Sequence, residues 1–381
     1  MLSFWEKKEF LKHDFIIVGS GITGLSTAIA LKEKMPNKRI LVLERSILPT
    51  GASTKNAGFA CIGSLTELLD DLETMSEDAV LQLVEQRWQG LQKLRQRLGD
   101  KNLDYQELGS YELLDEKEMD GLERLDEMNA FLRPLFNNSQ KAFRLDNSKI
   151  EQFGFSKKHI KSVVVNQYEG QLDTGKMMYN LLQYAYQLGI MVISGAEVTH
   201  FEENEKTVCL QVQHHFLNKI IFFEAEQVAI CTNAFTKKLL PNINIKAGRG
   251  QVIATKPIKN LAFKGIFHFE KGYYYFRNYG NRVIFGGGRN LDFEAENTTK
   301  FAYNEMILKD LNHKLQHIFL PKTSYEIETK WTGIMAFGKD KAPILKSISP
   351  RITIGVKLGG MGVAIGSLLG ENIANKILAN I

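Results

Sequence analysis

The sequence is poor in the residues that mark several classes of protein. Its three cysteines, Cys61, Cys209 and Cys231, lie far apart and form no C-x-x-C pair. Neither a disulfide framework nor a metal site is therefore expected. The chain has no block of five or more basic residues, and its net charge is only +5. Nucleic acid is accordingly not an expected partner.

Long apolar segments are also missing. The N-terminus is charged and lacks the apolar core of a signal peptide. The longest charge-free apolar stretch near the end, residues 358–370, is too short to span a bilayer. We therefore expect a cytoplasmic protein without an integral membrane segment. The sparse use of cysteine fits a reducing compartment.

The composition that remains is that of an ordinary globular protein. Hydrophobic residues make up 44% of the chain and charged residues 24%, which is close to average usage. A length of 381 residues is too great for one simple core, so two domains are expected.

Residues 14–44 form the most informative stretch. A short apolar run indicates a strand that is buried on both faces. G-x-G-x-x-G follows at residues 19–24, and a helical pattern then leads to a second apolar strand. Glu44 ends that strand, 20 residues after Gly24. This context is typical of dinucleotide binding, and the alternative is a glycine turn that binds no ligand.

Each part of this stretch has a physical role in binding a dinucleotide. Gly19 allows the tight turn, Gly21 lets the backbone approach a pyrophosphate, and Gly24 lets helix and strand pack closely. Free N–H groups at the positive end of the helix dipole would hold the pyrophosphate. Glu44 would accept hydrogen bonds from an adenosine ribose, and its charge disfavours a 2′-phosphate there.

Two further segments are rich in glycine and small residues. Residues 51–63 let backbone N–H groups crowd a flat or charged ligand, and the alternative is a buried crossover loop. Residues 357–363 lie between a strand and the last helix. Because only 15 residues follow Gly366, a second dinucleotide site has no room for its ribose-binding acid. We expect this segment to close the same sheet and to point a helix N-terminus at the ligand.

Hydrophobic periodicity predicts the remaining elements. Helices are expected at residues 65–98, in two parts, and at 173–188, 304–317 and from 363 to the end. Strands are expected at residues 105–114, 163–168, 190–193, 197–202, 208–214, 220–224, 227–231, 251–256, 268–276, 282–285, 326–333 and 352–356. The alternation in 273–277 predicts that Tyr273, Tyr275 and Arg277 share one face of a strand.

These segments together resemble the FAD-dependent oxidoreductases of the D-amino-acid oxidase superfamily, which include glycine oxidase, sarcosine oxidase and γ-glutamylputrescine oxidase. The resemblance covers almost the whole chain and rests on five segments in the right order. They are residues 18–24; Glu44-Arg45 with 51–59; 231–236 with 249–251; 274–277 with 285–289; and 331–335 with 359–363.

The resemblance implies an α/β fold and an activity. A doubly wound Rossmann-type FAD-binding domain would comprise residues 1–68, 173–250 and 331–381. A second, antiparallel-sheet substrate domain would comprise residues 69–172 and 251–330. The implied enzyme oxidises a C–N bond of a small amine or amino acid by hydride transfer to flavin, with oxygen or a quinone as electron acceptor. Such a transfer needs no dedicated base in the protein.

The resemblance also implies where the ligands lie. The flavin ring would lie between the 51–63 loop and the 359–363 turn, under the aromatic sheet of the second domain. Tyr273, Tyr275 and Arg277 are the expected residues of the substrate pocket. The expected cofactor residues are Gly19, Ser20, Gly21, Ile22, Thr23, Gly24, Glu44, Arg45, Ala52, Ser53, Thr54, Asn56, Ala57, Gly58, Val198, Thr232, Asn233, Gly359, Gly360, Met361, Gly362 and Val363.

One departure from the family bears on the substrate. Glycine and D-amino-acid oxidases place an arginine for the substrate carboxylate where this chain has Met335. A charge-assisted hydrogen bond of that kind contributes about 1.5–3 kcal/mol. Either another arginine, Arg277 or Arg289, serves instead, or the substrate lacks that carboxylate.

Other departures bear on the cofactor and the electron acceptor. No cysteine occurs near 335–337, and Asn56 stands where a histidine would attach flavin, so FAD is expected to bind non-covalently. Val283 and Ile284 occupy the strand position of an oxygen-activating lysine, and Met361 replaces a histidine of the family's turn. A slow reaction with oxygen is expected.

Three residues and three functions stay open at this point. Cys61 is either a reactive thiol or a buried small hydrophobe, Lys357 either faces the flavin or points outward, and His268 is either an acid/base or a half-buried strand histidine. The alternative functions are a flavin enzyme that acts on a modified tRNA side chain, a dehydrogenase that feeds a quinone, and a non-catalytic nucleotide-binding protein.

Overall fold

The computed structural model describes residues 2–136, 141–214 and 218–380. These residues form two eight-stranded sheets, a two-stranded sheet and the helices that cover them. The helices are α1 (Phe4–Phe10), α2 (Ile22–Lys34), α3 (Ala52–Lys55), α4 (Leu65–Thr74), α5 (Glu77–Leu98), α6 (Asp100–Leu103), α7 (Leu125–Leu132), α8 (Ser148–Gln152), α9 (Thr174–Gln187), α10 (Phe293–Glu296), α11 (Glu305–Lys314) and α12 (Gly362–Leu378). Short 3₁₀ segments lie at Glu116–Arg124, Arg133–Phe136, Asn233–Lys238 and Arg289–Leu291, and a π turn lies at Leu315–Phe319.

The strands alternate with these helices in the first part of the chain and cluster in the second. They are β1 (Lys12–Val18), β2 (Ile40–Glu44), β3 (Phe59–Ala60), β4 (Ser110–Leu114), β5 (Phe143–Leu145), β6 (Ser162–Asn166), β7 (Gly170–Gln171), β8 (Met191–Ser194), β9 (Glu197–Glu203), β10 (Val208–His214), β11 (Lys219–Ile230), β12 (Lys246–Thr255), β13 (Ile266–Phe269), β14 (Tyr274–Tyr279), β15 (Arg282–Gly287), β16 (Ile327–Phe337), β17 (Ile344–Ser347) and β18 (Ile352–Val356).

The first sheet contains the predicted strand–helix–strand unit. Its order is β17-β18-β11-β1-β2-β8, and β10 and β9 are added beside the first half of β11. Strands β18, β11, β1, β2 and β8 run parallel. All of β2 and the last four residues of β1 are buried, as expected of parallel strands that are covered on both faces.

Close helix packing covers one face of this sheet. A Cβ atom at Gly370 of α12 would lie 2.5 Å from the Cβ of Ser26 in α2. A Cβ atom at Gly90 of α5 would lie 2.2 Å from the carbonyl oxygen of Ala364 in α12. Glycine at these positions lets three helices pack backbone to backbone.

The second sheet has the order β16-β12-β15-β14-β13-β4-β6-β5. All its described neighbours are antiparallel except β13 and β4, which run parallel. An aromatic core fills one face, where Phe267 stacks on Phe276 with 4.5 Å between ring centroids and Phe319 lies 4.2 Å from Phe276. The predicted fold, a doubly wound domain with a second antiparallel-sheet unit, is confirmed.

Two strand predictions are wrong. Residues 220–224 and 227–231 belong to one strand, β11, because it pairs with β10 in its first half and with β1 and β18 further on. The predicted strand 268–276 is two strands, β13 and β14. Glu270 and Lys271 both adopt φ of +51° between them, which turns the chain. Tyr273 therefore lies outside the strand that carries Tyr275 and Arg277.

The predicted domain boundaries stay a prediction. Strands β12 and β16 belong to the second sheet and run across the boundaries expected at residues 250 and 330. Helix α5, which the predicted boundaries place in the substrate domain, packs on α12 beside the first sheet. In the part of the chain that the structure describes, no helix combines the length and apolar character needed to cross a bilayer.

Substitution of Gly90 tests the packing of α5 on α12. Gly90→Ala introduces a methyl group where a backbone oxygen lies 2.2 Å away, and we expect a loss of about 1–3 kcal/mol in the free energy of unfolding. Gln89→Ala, at the neighbouring exposed position, should change it by no more than about 0.5 kcal/mol. Urea denaturation measures both. Stabilisation of the Gly90 variant by about 1 kcal/mol, as helix propensity alone predicts, would contradict this packing.

Candidate active site

A cleft between the two sheets holds about 1480 Å³ of atom-free space, part of it open to solvent. The carboxyl ends of β1, β2 and β11 lie on one side, and β12, β14 and β16 lie on the other. Most of the predicted cofactor residues line it: Gly19, Gly21, Ile22, Thr23, Glu44, Arg45, Ala52, Ser53, Asn56, Val198, Thr232, Asn233, Gly360, Gly362 and Val363. The other predicted residues, Ser20, Gly24, Thr54, Ala57, Gly58, Gly359 and Met361, stand outside the lining.

The N-terminus of α2 opens into this cleft. Its N-cap is Gly21, which offers no side-chain cap, and the Ile22 N–H donates to the Oγ of Ser53 at 3.0 Å. The remaining N–H groups of the first turn are free of helix partners. A Cβ atom at Gly24 would lie 1.9 Å from the carbonyl oxygen of Gly19, so glycine is required for the turn itself. This end of the helix fits a pyrophosphate.

Glu44 is buried at the end of β2 and retains hydrogen-bonding capacity. Its Oε2 accepts from the N–H of Ser20 at 3.1 Å and from the Oγ of Ser20 at 2.7 Å, and its Oε1 accepts from the N–H of Ser46 at 3.0 Å. A carboxylate can accept about four hydrogen bonds. One acceptor position is therefore left for a ribose hydroxyl.

The N-terminus of α12 meets the same cleft from the other end. Its N-cap is Met361, which makes no side-chain cap, and Gly360, Gly362 and Val363 line the cleft. Gly360 has φ of +88°, a conformation that favours glycine. Two helix N-termini therefore direct positive ends of their dipoles into one cleft. The arrangement fits an elongated ligand with a phosphate group and an electron-rich ring.

The loop that follows β2 is held by side chains of the second sheet. The Nε1–H of Trp331 in β16 donates to the carbonyl oxygen of Lys55 at 2.9 Å. The Nη1 of Arg277 in β14 donates to the carbonyl oxygens of Gly58 at 3.1 Å and Leu172 at 2.6 Å. Burial lowers the pKa of Arg277 to about 10. Arg277 therefore has a positioning role in the loop, since its guanidinium is taken up by backbone carbonyls.

Two buried glutamates hold the next part of the loop. Glu169 accepts from the backbone N–H groups of Ile62 at 2.7 Å and Gly63 at 2.9 Å. Glu112 in β4 accepts from the N–H of Thr66 at 3.1 Å and from the Oγ of Ser64 at 2.8 Å. These carboxylates satisfy backbone donors that would otherwise be buried without partners.

His268 belongs to this carboxylate cluster. It is 4% exposed, and its Nε2 lies 3.5 Å from the Oε2 of Glu169. Burial by itself lowers the pKa of His268, but Glu169, with help from Glu67 and Glu112, outweighs burial and raises that pKa above its usual value. His268 stands outside the cleft lining and is a fully buried strand histidine.

The other two residues left open are also placed by the structure. The Sγ of Cys61 lies 3.5 Å from the Sδ of Met361. Burial, with the charges of Glu169 and Glu67, raises the pKa of the Cys61 thiol well above its usual range, so the thiol is unreactive. Lys357 is buried, and its Nζ pairs with Asp340 at 2.7 Å.

The predicted substrate residues do not meet in the cleft lining. Tyr275 lines the cleft, while Tyr273 is 38% exposed and Arg277 holds the loop. Their role toward a substrate stays a prediction. Met335 also lines the cleft, at the position where the family resemblance places an arginine.

Sequence reasoning missed the lining residues of the second sheet, Gly250, Val252, Gly333 and Ile334, and also Lys55, Phe235 and Leu358. Gly250 and Gly333 face each other across β12 and β16. The available signal was a glycine in the middle of each strand, which often marks a site that a ligand or another backbone approaches closely.

The Glu169–His268 pair predicts a pH dependence of stability. Because the folded-state pKa of His268 is raised, its stabilising contribution is complete below about pH 6.5 and is lost as the pH rises through the folded-state pKa. Glu169→Gln keeps an acceptor for the loop and removes the charge. We expect the variant to be less stable than the wild type at pH 6, with a smaller difference at pH 9, in urea denaturation.

Glu116→Gln is the matched control, because Glu116 is exposed on the surface. It should show no such trend. A difference between the wild type and Glu169→Gln that stays constant from pH 6 to pH 9 would show that the pair does not contribute as described.

Comparisons with known proteins agree with this geometry. A family model described as FAD dependent oxidoreductase, DAO, matches residues 14–376. The chain is 22% identical to the "Probable oxidoreductase OrdL" of Haemophilus influenzae over 388 aligned positions, which cover 96% of this chain and 83% of that protein.

Solved structures share the fold. L-proline dehydrogenase from P. horikoshii superposes with a TM-score of 0.78 at 17% identity, covering 97% of this chain and 94% of that one. Glycine oxidase from Geobacillus kaustophilus superposes with a TM-score of 0.76 at 19% identity, covering 97% and 95%. The family match spans nearly the whole chain and includes both sheets around the cleft. The chain therefore belongs to the DAO family of FAD-dependent oxidoreductases, and FAD is its cofactor.

Proposed function

We propose that this enzyme oxidises a C–N bond of a small amine or amino acid. The observation that carries the proposal is a cleft that continues from the dinucleotide site at α2 to a pocket under β12, β14 and β16. The names of two structural neighbours, glycine oxidase and L-proline dehydrogenase, each specify an amino acid. Bound FAD supplies the acceptor for the hydride and its two electrons.

The pocket residues orient a substrate without acting as a base. Burial raises the pKa of Tyr275 to about 12, so its hydroxyl stays protonated at neutral pH and is available to donate a hydrogen bond to a substrate. Met335 adds an apolar wall beside Gly250, where a Cβ atom would lie 2.9 Å from the methyl carbon of Met335. A neutral amine that loses hydride needs no stronger catalyst from the protein than position and the exclusion of water.

The cofactor is proposed to bind without a covalent bond. We expect purified protein to be yellow and to release intact FAD on acid or heat denaturation, as absorbance of the supernatant would show. The reason is that Asn56 and residues 335–337 offer no cysteine or histidine and that the Cys61 thiol is held protonated. Flavin that precipitates with the denatured chain would contradict this.

The substrate class is tested by anaerobic reduction of the flavin. With Met335 in place of an arginine, an α-carboxylate loses a partner that contributes about 1.5–3 kcal/mol per hydrogen bond. Glycine and D-alanine should therefore bleach the flavin absorbance slowly, and secondary amines without an α-carboxylate should bleach it faster. Rapid bleaching by glycine or D-alanine would overturn the substrate argument.

Reoxidation of the same reduced enzyme tests the electron acceptor. Ile284 and Met361 stand where the family resemblance places a lysine and a histidine, so we propose that a quinone or dye reoxidises the flavin faster than oxygen does. Stopped-flow absorbance measures both rates. Prompt peroxide production at a rate equal to substrate turnover would identify an oxidase instead.

A further inference from the structure

Arg289 is a half-buried arginine whose guanidinium has no polar partner among the described residues. The other buried arginines of the second sheet, Arg249 and Arg277, have polar partners within the protein. Arg249 makes a bidentate pair with Glu296 at 2.8 and 2.7 Å, and Arg277 donates to two backbone carbonyls. Glu296 is therefore already occupied. No carboxylate of the described residues pairs with the Arg289 guanidinium, so an anionic ligand can do so.

Two aromatic rings flank the Arg289 guanidinium. Its central carbon lies 4.0 Å from the ring centroid of Phe337 and 4.8 Å from that of Phe293. Such rings engage the face of the guanidinium and leave its N–H edges available. Burial lowers the pKa of Arg289, but arginine stays protonated in proteins. The N–H edge is the part that matches a carboxylate with two parallel hydrogen bonds.

The position of this guanidinium places it next to the substrate pocket. A Cβ atom at Gly248 would lie 3.3 Å from the Nη1 of Arg289. Gly248 pairs across the sheet with Met335, which lines the cleft. Gly250, two residues further along β12, lines the cleft as well. Residues two apart on a strand share a face and are separated by about 7 Å. The Arg289 guanidinium, which lies over Gly248, is therefore about 7 Å along β12 from the lining residue Gly250.

We propose that Arg289 binds a carboxylate of the amine substrate that is remote from the C–N bond being oxidised. The inference rests on the proposed function and names its substrate class: aminocarboxylates with several atoms between nitrogen and carboxylate. Met335 removes the partner for a carboxylate next to the reacting carbon. The side chains of Phe337 and Met335 lie over Gly248 and Gly250, so the atoms between the nitrogen and the carboxylate would run along these two side chains to Arg289.

A matched set of secondary amines tests this assignment. N-methyl-γ-aminobutyrate carries the remote carboxylate, N-methylpentylamine has nearly the same shape without it, and sarcosine carries the carboxylate next to the nitrogen. Anaerobic stopped-flow measurement gives, for each amine, the rate constant of flavin reduction divided by the dissociation constant of the amine. The wild-type enzyme should prefer N-methyl-γ-aminobutyrate to both of the others.

Variants of Arg289 should remove that preference selectively. Arg289→Gln should lower the ratio of reduction rate constant to dissociation constant for N-methyl-γ-aminobutyrate about 10- to 100-fold, since a charge-assisted pair is lost. The same ratio for N-methylpentylamine should not change. Arg289→Lys should retain part of the preference, because lysine keeps the charge and loses the planar fork. Arg144→Gln, at an exposed arginine of β5 in the same sheet, is the control and should change neither substrate.

The outcomes separate this inference from the proposed function. If the wild type reduces its flavin equally fast with N-methylpentylamine, or if Arg289→Gln slows both amines alike, Arg289 does not bind the carboxylate and amine oxidation still stands. If no amine reduces the flavin, the proposed function fails. Calorimetric titration with pentanoate then decides the Arg289 assignment, because it needs no oxidation: tighter binding by the wild type than by Arg289→Gln supports it, and equal binding overturns it.

Discussion

The backbone of residues 55–66 must be buried for the cleft to exist, and its polar groups must find partners there. Most of these partners come from the second sheet or from Glu169 beside it. Trp331 and Arg277 donate to carbonyl oxygens, and Glu169 and Glu112 accept from N–H groups. Each buried backbone group left without a partner would cost about 1–3 kcal/mol. The loop and the second sheet are therefore stable only together, although they come from distant parts of the sequence.

This constraint explains how charge is distributed around the cleft. The N-termini of α2 and α12 direct uncapped N–H groups inward, where a dinucleotide cofactor needs them. Glu169, which holds the loop, is matched by His268, and the nearby Glu67 is matched by Lys341, whose Nζ lies 3.0 Å from it. Glu67, Glu112 and Glu169 stand outside the cleft lining. The pocket itself is left apolar, with Arg289 at its edge.

The sequence predicted what is local. The strand, glycine turn, helix and terminal acid around Gly19 and Glu44 are contiguous, so their spacing alone indicated the geometry. The strand pattern failed at β11, where it predicts two strands instead of one. The first half of β11 pairs antiparallel with β10 and is partly exposed, whereas the second half is buried between the parallel strands β1 and β18. The pattern also failed at Tyr273. Glu270 and Lys271 both adopt a positive φ, and because neither residue is glycine, the sequence gives no clear sign of the turn.

What the sequence could not predict depends on cross-strand neighbours. Gly250 and Gly333 line the cleft because β12 and β16 pair in one register, and no spacing within the chain reveals that register. Arg277 was expected to meet a substrate from its alternation with Tyr275. Its partners, Gly58 and Leu172, lie more than a hundred residues away. The environment of Arg289 depends likewise on Phe337, a ring from a distant part of the sequence, as well as on the nearby Phe293.

The central claim is that one cleft between the two sheets holds both the cofactor and the substrate pocket. A crystal structure of the yellow protein tests it most directly. The account predicts the pyrophosphate at the N-terminus of α2, the adenosine ribose within hydrogen-bonding distance of Glu44, and the flavin ring between the 51–63 loop and the N-terminus of α12 with one face toward Tyr275 and Met335. A flavin ring that is bound outside this cleft, or turned away from the second sheet, would contradict the account.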